Sequence, residues 1–201
     1  MDQVAPSRQR LATIATAWWH RACDPQHSNP GIAKRLQRCR TLADVIREPA
    51  ALDLVVRLEA FGASRQQDAL ALARLLAHIQ ETGPAHPMRV VGYPHYQAFD
   101  AEDVATNKPI LSTHRFDRLM RTARGSALDE GLRHLASRIK GPVSVGAFAE
   151  ASWYWGDAMR LRWSGLYAAV PSAVRAEART SVVVHTARAS ALSTDPHALV
   201  V

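Results

Sequence analysis

Cysteine, catalytic motifs and long apolar stretches are scarce or missing in this 201-residue chain. Two cysteines, Cys23 and Cys39, are too few for the disulfide framework of a small secreted domain, and no secretory leader is recognisable. We therefore expect the protein in a reducing cytoplasm. No apolar run approaches the ~20 residues that a membrane-spanning helix needs, so a membrane protein is not expected.

Motifs of catalysis are absent. The sequence has no glycine-rich phosphate loop, no nucleophile elbow, no Cys-x-x-Cys pair and no pair of metal-binding carboxylates at helical spacing. Soft metal ligands cluster once, at spacings of which two suit zinc: His20, Cys23, His27 and Cys39. Because free cysteine is commonly buried as a small hydrophobe, core cysteines and surface histidines are the favoured interpretation. We expect no metal, no cofactor and no enzymatic activity.

Positive charge, in contrast, is in excess. Lysine and arginine number 25 against 18 aspartates and glutamates, which gives a formal net charge of +7. This balance favours a polyanionic partner, with nucleic acid first and an anionic membrane surface second. Nearly all the basic residues are arginine, which suits bidentate phosphate binding, although GC-rich coding produces the same bias.

Apolar residues recur at helical spacing along most of the chain, which predicts an all-α fold. The predicted helices cover residues 8–22, a segment around 32–39, a segment that follows residues 41–45 and runs from Pro49 to a stop at Phe61 and Gly62, and residues 65–79, 112–124, 128–139 and 144–167. The last of these is predicted as one helix or two. Ser112 is the expected cap of the helix at 112–124.

Proline and glycine interrupt this pattern once, over residues 83–110, which lack a sustained period and are predicted to form a long loop. The loop joins two small helical-bundle subdomains, an N-terminal one at residues 1–82 and a C-terminal one at residues 111–168. Residues 169–201 are rich in Ala, Ser, Thr and Val and are predicted to be a mobile tail, with weak support for a strand at 182–184.

The most informative segment is residues 111–124. Its apolar side chains share one face of a helix, and arginines recur every three residues along the other face: Arg115, Arg118, Arg121 and Arg124. Arginines in such a row repel one another unless a polyanion occupies the face. The row therefore favours a track for a phosphate backbone over an ordinary solvated helix face.

Two stretches concentrate the basic residues. Residues 110–140 hold seven basic residues against three acidic ones, and residues 31–47 hold five against one, including Arg35 and Arg38. The tail has nearly balanced charge, so the excess is on predicted helices. Aromatic residues between 153 and 167 could serve as base-stacking platforms, but Trp155, Met159, Trp163 and Tyr167 recur at a spacing of four, which is typical of a buried stripe.

Several short motifs follow one another in a fixed order over residues 8–168. They are WW at 18–19, AKRLQR at 33–38, FG at 61–62, RQQDAL at 65–70, LSTHRFDRLM at 111–120, LRHL at 132–135, WG at 155–156 and WSGLY at 163–167. In this order and spacing they resemble the CasB family, the small subunit of the type I-E CRISPR Cascade complex.

The resemblance implies an all-α fold of two helical subdomains, present as two copies along the belly of the Cascade complex. It also implies a non-catalytic role in antiviral defence, in which the subunit contacts guide RNA (crRNA) and target DNA backbones without reading sequence and stabilises the R-loop. The family's functional arginines correspond to Arg65, Arg115 and the segment 132–135. There Arg133 is the surer contact, because His134 replaces an arginine that the family often has.

From the charge pattern and the resemblance together, we predict a continuous groove for single-stranded or heteroduplex backbone. Its lining would be Arg65, Arg115, Arg118, Arg121 and Arg133, with Arg35 and Arg38 as a second patch. The expected partners are crRNA, target DNA, the other Cascade subunits and a second copy of the chain, without a membrane. Two alternatives stay open: a helical structural adaptor whose basic face binds an acidic protein, and a metal-dependent enzyme that uses the cluster around His20 and Cys23.

Overall fold

The structure is a computed structural model that describes residues 7–28, 30–60, 65–92 and 109–167. Within these ranges the chain forms ten helices and no strand, which confirms the all-α prediction. In order they are α1 Arg8–Ala22, α2 Pro30–Arg38, α3 Leu42–Val45, α4 Pro49–Glu59, α5 Gln66–Leu76, α6 Pro87–Gly92, α7 Thr113–Arg121, α8 Ser126–Arg138, α9 Val145–Tyr154 and α10 Asp157–Tyr167. None of them combines the length and apolar character needed to cross a membrane.

Local residue chemistry explains where several helices begin. The Ser7 side chain accepts a hydrogen bond from the backbone of Arg10 at the start of α1, and Ser144 caps α9 in the same way. Thr41 and Asp44 form a reciprocal capping box that starts the four-residue helix α3. Ser112 does precede α7, but its side chain makes no capping hydrogen bond.

The core is built around α5, which packs against α4, α8 and α9. Every residue from Ala69 to Leu76 is buried, as expected for a helix that has neighbours all around it. Helix α1 packs against α9, and Gly146 permits their close approach because a Cβ added there would lie 2.8 Å from the Cβ of Ala12. Four fully buried tryptophans fill the interior: Trp18, Trp19, Trp153 and Trp163.

Helices from before and after the predicted loop share this core. The contacts of α1 with α9 and of α5 with α8 and α9 join the two halves, and their buried residues form one hydrophobic cluster. The predicted division into two separate bundles is therefore not confirmed. An additional link is a parallel backbone bridge between Thr82 and Val143.

The prediction of an unstructured loop at 83–110 is wrong for Pro87–Gly92, which form helix α6. Proline is favoured in the first turn of a helix, so Pro87 begins this element instead of breaking it. Met88 and Val91 of α6 are fully buried, and the helix packs against α10. Residues 93–108 lie outside the described part of the chain.

Helices α7 and α5 end earlier than predicted. Helix α7 ends at Arg121 instead of near Arg124, since Thr122 is extended with ψ 129°. Helix α5 ends at Leu76 instead of Ile79. Residues 144–167, predicted as one helix or two, form two helices separated at Trp155 and Gly156. The predicted stop at 61–62, the tail at 169–201 and the strand at 182–184 lie outside the described residues.

Candidate nucleic-acid interface

The apolar face of α7 packs against residues of α8 and α10. The Phe116 ring stacks on the Tyr167 ring with centroids 3.9 Å apart and planes within 4° of parallel. Leu119 is buried over Gly131, where an added Cβ would lie 2.9 Å from its Cδ1 atom. The Tyr167 hydroxyl also donates a 2.8 Å hydrogen bond to the Leu111 carbonyl, just before the helix. This packing fixes which face of α7 remains outside.

The outer face of α7 carries Arg115, Arg118 and Arg121, all exposed to solvent. Within the described residues none of the three guanidinium groups has an ion-pair partner. Arg118 and Arg121 lie in the last turn, where the helix dipole favours cations. Arg115 lies in the first turn, where the dipole disfavours a cation, so this side chain gains no local stabilisation from its position.

Arg124 does not continue the row, because the chain leaves the helix before reaching it. The Thr122 carbonyl accepts hydrogen bonds from Trp155 Nε1 at 2.9 Å and from Arg160 Nη2 at 3.0 Å, which holds the turn in place. Gly125 then adopts a φ of 136°, a conformation that favours glycine. In this position Arg124 Nη2 lies 2.6 Å from Asp68 Oδ2. The predicted row of four arginines is therefore wrong at its fourth member.

Arg65 lies at the start of α5 and meets Arg124 at the same carboxylate. Its Nη1 atom is 3.8 Å from Asp68 Oδ2 and donates a 3.4 Å hydrogen bond to the Trp153 carbonyl. The guanidinium carbon lies 5.9 Å from the centre of a Trp153 ring, within the range of a cation–π contact. The structure thus brings together Arg65, a predicted site residue, and Arg124.

Arg133 projects from α8 in a half-buried position beside α5. Its Nε atom is buried and has no hydrogen-bond partner within the described residues. Burial lowers the pKa of Arg133, and repulsion from Arg74 acts in the same direction. Arg74 itself is only 7% exposed and donates to the Arg40 carbonyl at 2.8 Å. Arg133 therefore belongs to a charged cluster at the α5–α8 contact, and a groove joining it to the α7 face stays a prediction.

The second predicted patch, Arg35 and Arg38, has part of its positive charge neutralised. Arg35 Nε donates to both carboxylate oxygens of Glu48, at 2.9 and 3.2 Å. Arg38 is exposed and has no ion-pair partner within the described ranges. His134, at the position where an arginine was expected from the resemblance, is also exposed.

The four possible zinc ligands are buried or make contacts with other residues. His20 and His27 both place Nδ1 against Asp24 Oδ2, at 3.0 and 3.1 Å, and these hydrogen bonds help lower the pKa of Asp24 to about 2, with the His20 bond as the largest cause. Cys23 is buried, which raises the pKa of its thiol to about 12, and Cys39 lies partly buried beside the Arg35 carbonyl. The described residues contain no group of three or more His, Cys, Asp or Glu side chains placed to hold a metal ion.

The C-terminal aromatic residues belong largely to the core. Trp155, Met159 and Trp163 are buried, and the Trp155 and Trp163 rings meet edge to face at 5.5 Å, which confirms the prediction of a buried stripe for these three. Tyr167 is partly exposed. The buried tryptophans are not available as platforms for base stacking.

Sequence reasoning missed Asp68, Arg74 and Arg160. The contact of Asp68 with Arg65 was visible in principle, because residues three apart on a helix are neighbours. Its contact with Arg124 joins residues far apart in the chain and depends on how α5 packs against α8. Arg74 lies within an apolar run, where an arginine gives no indication that it is buried.

Comparison of the chain with family models, with curated proteins and with solved structures finds no match. Structural support for a function therefore comes from the charged surface of the molecule itself. On the outer face of α7, three exposed arginines on one nine-residue helix lack a carboxylate partner within the described residues.

Proposed function

We propose that this protein is a non-catalytic subunit that binds nucleic-acid backbones without reading their sequence, as the small CasB subunit of a type I-E CRISPR Cascade complex. The single observation that carries the proposal is the α7 surface, whose inner face is packed while Arg115, Arg118 and Arg121 extend outward without ion-pair partners among the described residues. The motif order at residues 8–168 supports the family assignment.

The chemistry of the α7 face suits phosphate. Guanidinium groups form charge-assisted, often bidentate hydrogen bonds to phosphate oxygens, and such contacts are independent of base identity. R-loop formation exchanges one duplex for another of similar stability, so a few backbone contacts are enough to shift the balance. The proposed partners are therefore crRNA, target DNA, the other Cascade subunits and a second copy of this chain.

The test of the proposal is Arg115→Ala, with Arg10→Ala as its matched control. Each arginine is exposed and is the third residue of its helix, so both changes remove one charge in the same helical context. We expect Arg115→Ala to weaken binding of single-stranded DNA and RNA–DNA heteroduplexes equally for unrelated sequences. The slope of log affinity against log salt should fall by ~0.7–0.9 for the lost contact.

Fluorescence anisotropy over a series of salt concentrations measures both quantities. Arg10→Ala should reduce affinity less and leave the slope nearly unchanged. Equal behaviour of the two variants, or an unchanged slope for Arg115→Ala, would contradict the proposal.

The alternative function, a structural adaptor for an acidic protein, predicts a different result in competition. A partner recognised by shape should resist displacement by unrelated polyanions, whereas a bound backbone should be displaced by heparin. Co-purification of the tagged chain with a guide RNA and other Cascade proteins tests the assembly directly. Recovery of a protein partner without nucleic acid would favour the adaptor.

A further inference from the structure

We propose that Asp68 occupies a phosphate-binding position between Arg65 and Arg124, from which a nucleic-acid phosphate displaces it. This inference rests on the proposed function and deepens it in two ways. It adds Arg124 as a backbone-binding residue, and it makes Asp68 an internal competitor that weakens binding by the free protein. The supporting observations are the geometry of the three side chains, their exposure, and the contacts that hold Arg65 and the turn before Arg124.

The geometry is that of two cations sharing one anion. Asp68 Oδ2 lies 2.6 Å from Arg124 Nη2 and 3.8 Å from Arg65 Nη1, so a single carboxylate faces two guanidinium groups. Asp129 is close enough to Arg124 and Asp68 for both to affect its pKa, yet it forms no ion pair with either arginine among the described residues. The trio of Arg65, Asp68 and Arg124 therefore has two positive groups and one negative group, and Asp129 is a second carboxylate nearby.

All three side chains are accessible, with exposed fractions of 48% for Arg65 and 36% for both Asp68 and Arg124. Ion pairs at this level of exposure are weak, because water and salt screen them. A phosphodiester carries one negative charge shared by two non-bridging oxygens, as a carboxylate does, and arginine binds both groups by the same forked hydrogen bonds. Exchange of Asp68 for phosphate therefore requires no new type of contact.

Contacts that do not involve Asp68 hold the Arg65 side chain and the backbone that leads to Arg124. Arg65 donates to the Trp153 carbonyl and lies near a buried Trp153 ring. The turn before Arg124 is fixed by the Thr122 carbonyl, which Trp155 and Arg160 both bind. Release of Asp68 should thus leave the Arg65 guanidinium and the backbone of Arg124 near their present positions, and the Arg124 side chain can then turn to a replacement anion.

Arg124 also follows α7 closely in the chain, although it does not continue the arginine row of that helix. Arg121 ends α7, and Arg124 comes three residues later. In this proposal, a backbone bound along the outer face of α7 also reaches the Arg65–Arg124 pair. The nucleic-acid backbone, with its repeated phosphates, fits this arrangement better than a single small anion.

The test compares Asp68→Asn with Asp53→Asn. Each replacement removes one carboxylate charge from an exposed ion pair, but Asp53 pairs with Arg57 alone, at 2.8 Å on α4, whereas Asp68 faces both Arg65 and Arg124. With a fluorescein-labelled single-stranded DNA of mixed sequence, we expect Asp68→Asn to bind about threefold more tightly than Asp53→Asn. The salt slope of Asp68→Asn should rise by about 0.7. Thermal unfolding of both variants checks that each is folded.

A double variant identifies the residue responsible. Arg124→Ala should weaken binding only modestly in the original chain, where phosphate gains Arg124 at the cost of the Asp68 ion pair, but should weaken it more in the Asp68→Asn background and remove most of the gain there. Equal gains from Asp68→Asn and Asp53→Asn would overturn the inference, since net charge alone would then explain them. A gain that survives Arg124→Ala, or an equal gain for polyglutamate in place of DNA, would overturn it as well.

Failure of the inference is distinguishable from failure of the proposed function. If the original chain binds DNA and Arg115→Ala weakens it while Asp68→Asn matches its control, only the inference fails. If neither the original chain nor Asp68→Asn binds DNA or heteroduplex, the proposed function fails and the inference fails with it.

Discussion

Among single residues, arginine side chains occupy three different environments in this protein. Arg115 is exposed without an ion-pair partner in the described part of the chain, Arg124 is paired with Asp68, and Arg74 is buried. Burial of a guanidinium is unfavourable unless its hydrogen bonds are replaced, and Arg74 finds two backbone carbonyls, those of Cys39 and Arg40. Arg74 thereby fastens α5 to the connection between α2 and α3.

We expect Arg74→Ala to lower the free energy of unfolding by about 2 kcal/mol, since it removes buried packing and leaves the Arg40 carbonyl without this donor. Urea denaturation measures the change. Arg38→Ala, which removes an exposed arginine, should stay within about 0.5 kcal/mol of the original chain. Similar effects of the two replacements would show that Arg74 has no stabilising role in the core.

At the scale of helices, packing between elements decides which surfaces stay available. Phe116 and Leu119 anchor α7, so its arginines extend outward. Between α1 and α9, the distance between the two helices depends on Gly146, which faces Ala12 and leaves no room for a side chain. Gly165 in α10 offers a contrast, because nothing lies within 4 Å of a Cβ added there.

We expect Gly146→Ala to destabilise the fold by about 1–3 kcal/mol, because the new methyl forces α1 away from α9. Gly165→Ala should stabilise it by up to about 1 kcal/mol through higher helix propensity. The two replacements are chemically identical, so opposite shifts in thermal unfolding isolate the interhelical contact. Stabilisation by both would mean that α1 and α9 are less closely packed than described.

At the scale of the whole molecule, two partly buried histidines couple stability to pH. Burial is the main cause that lowers the pKa of His78 and of His86 to about 4 each, and neighbouring arginines lower both further. His86 Nδ1 also accepts a hydrogen bond from the Met88 backbone, which requires that nitrogen to be unprotonated. The folded protein therefore holds both imidazoles neutral at pH values where the unfolded chain protonates them.

The sign of the pH dependence follows directly. Above the ordinary histidine pKa of 6.5 both states are neutral and the stability is fully present. As the pH falls from about 6.5 towards 4, the unfolded chain takes up protons that the folded one does not, so stability decreases. We expect a loss of at most ~1.4 kcal/mol per pH unit for each histidine. Urea denaturation at pH 7, 6 and 5 measures it, and His86→Asn should reduce the slope by about half.

A stability that stays constant between pH 7 and pH 5 would contradict this expectation. So would a slope that His86→Asn leaves unaltered, because asparagine can cap α6 but does not titrate.

The helical class of the protein and the amphipathic character of α7 were predictable from the sequence, because helical periodicity is a local property of the chain. The sequence also identified Trp155, Met159 and Trp163 as core residues. It failed at α6, where prolines looked like loop residues, and at the end of α7. In both places, segments distant in the chain decide the outcome: packing against α10 supports α6, and hydrogen bonds from Trp155 and Arg160 hold the turn that ends α7.

Which arginines have ion-pair partners depends on helix packing and could not be predicted from the sequence. The residues around Arg124 do not predict its ion pair with Asp68, and those around Arg35 do not predict its ion pair with Glu48. Both pairs join residues from different parts of the chain. Ion pairing depends on distances of a few ångströms, which are set by how whole helices pack rather than by spacing along the chain. The sequence could therefore place positive charge on helices, whereas the packing determined where that charge remains available to a phosphate backbone.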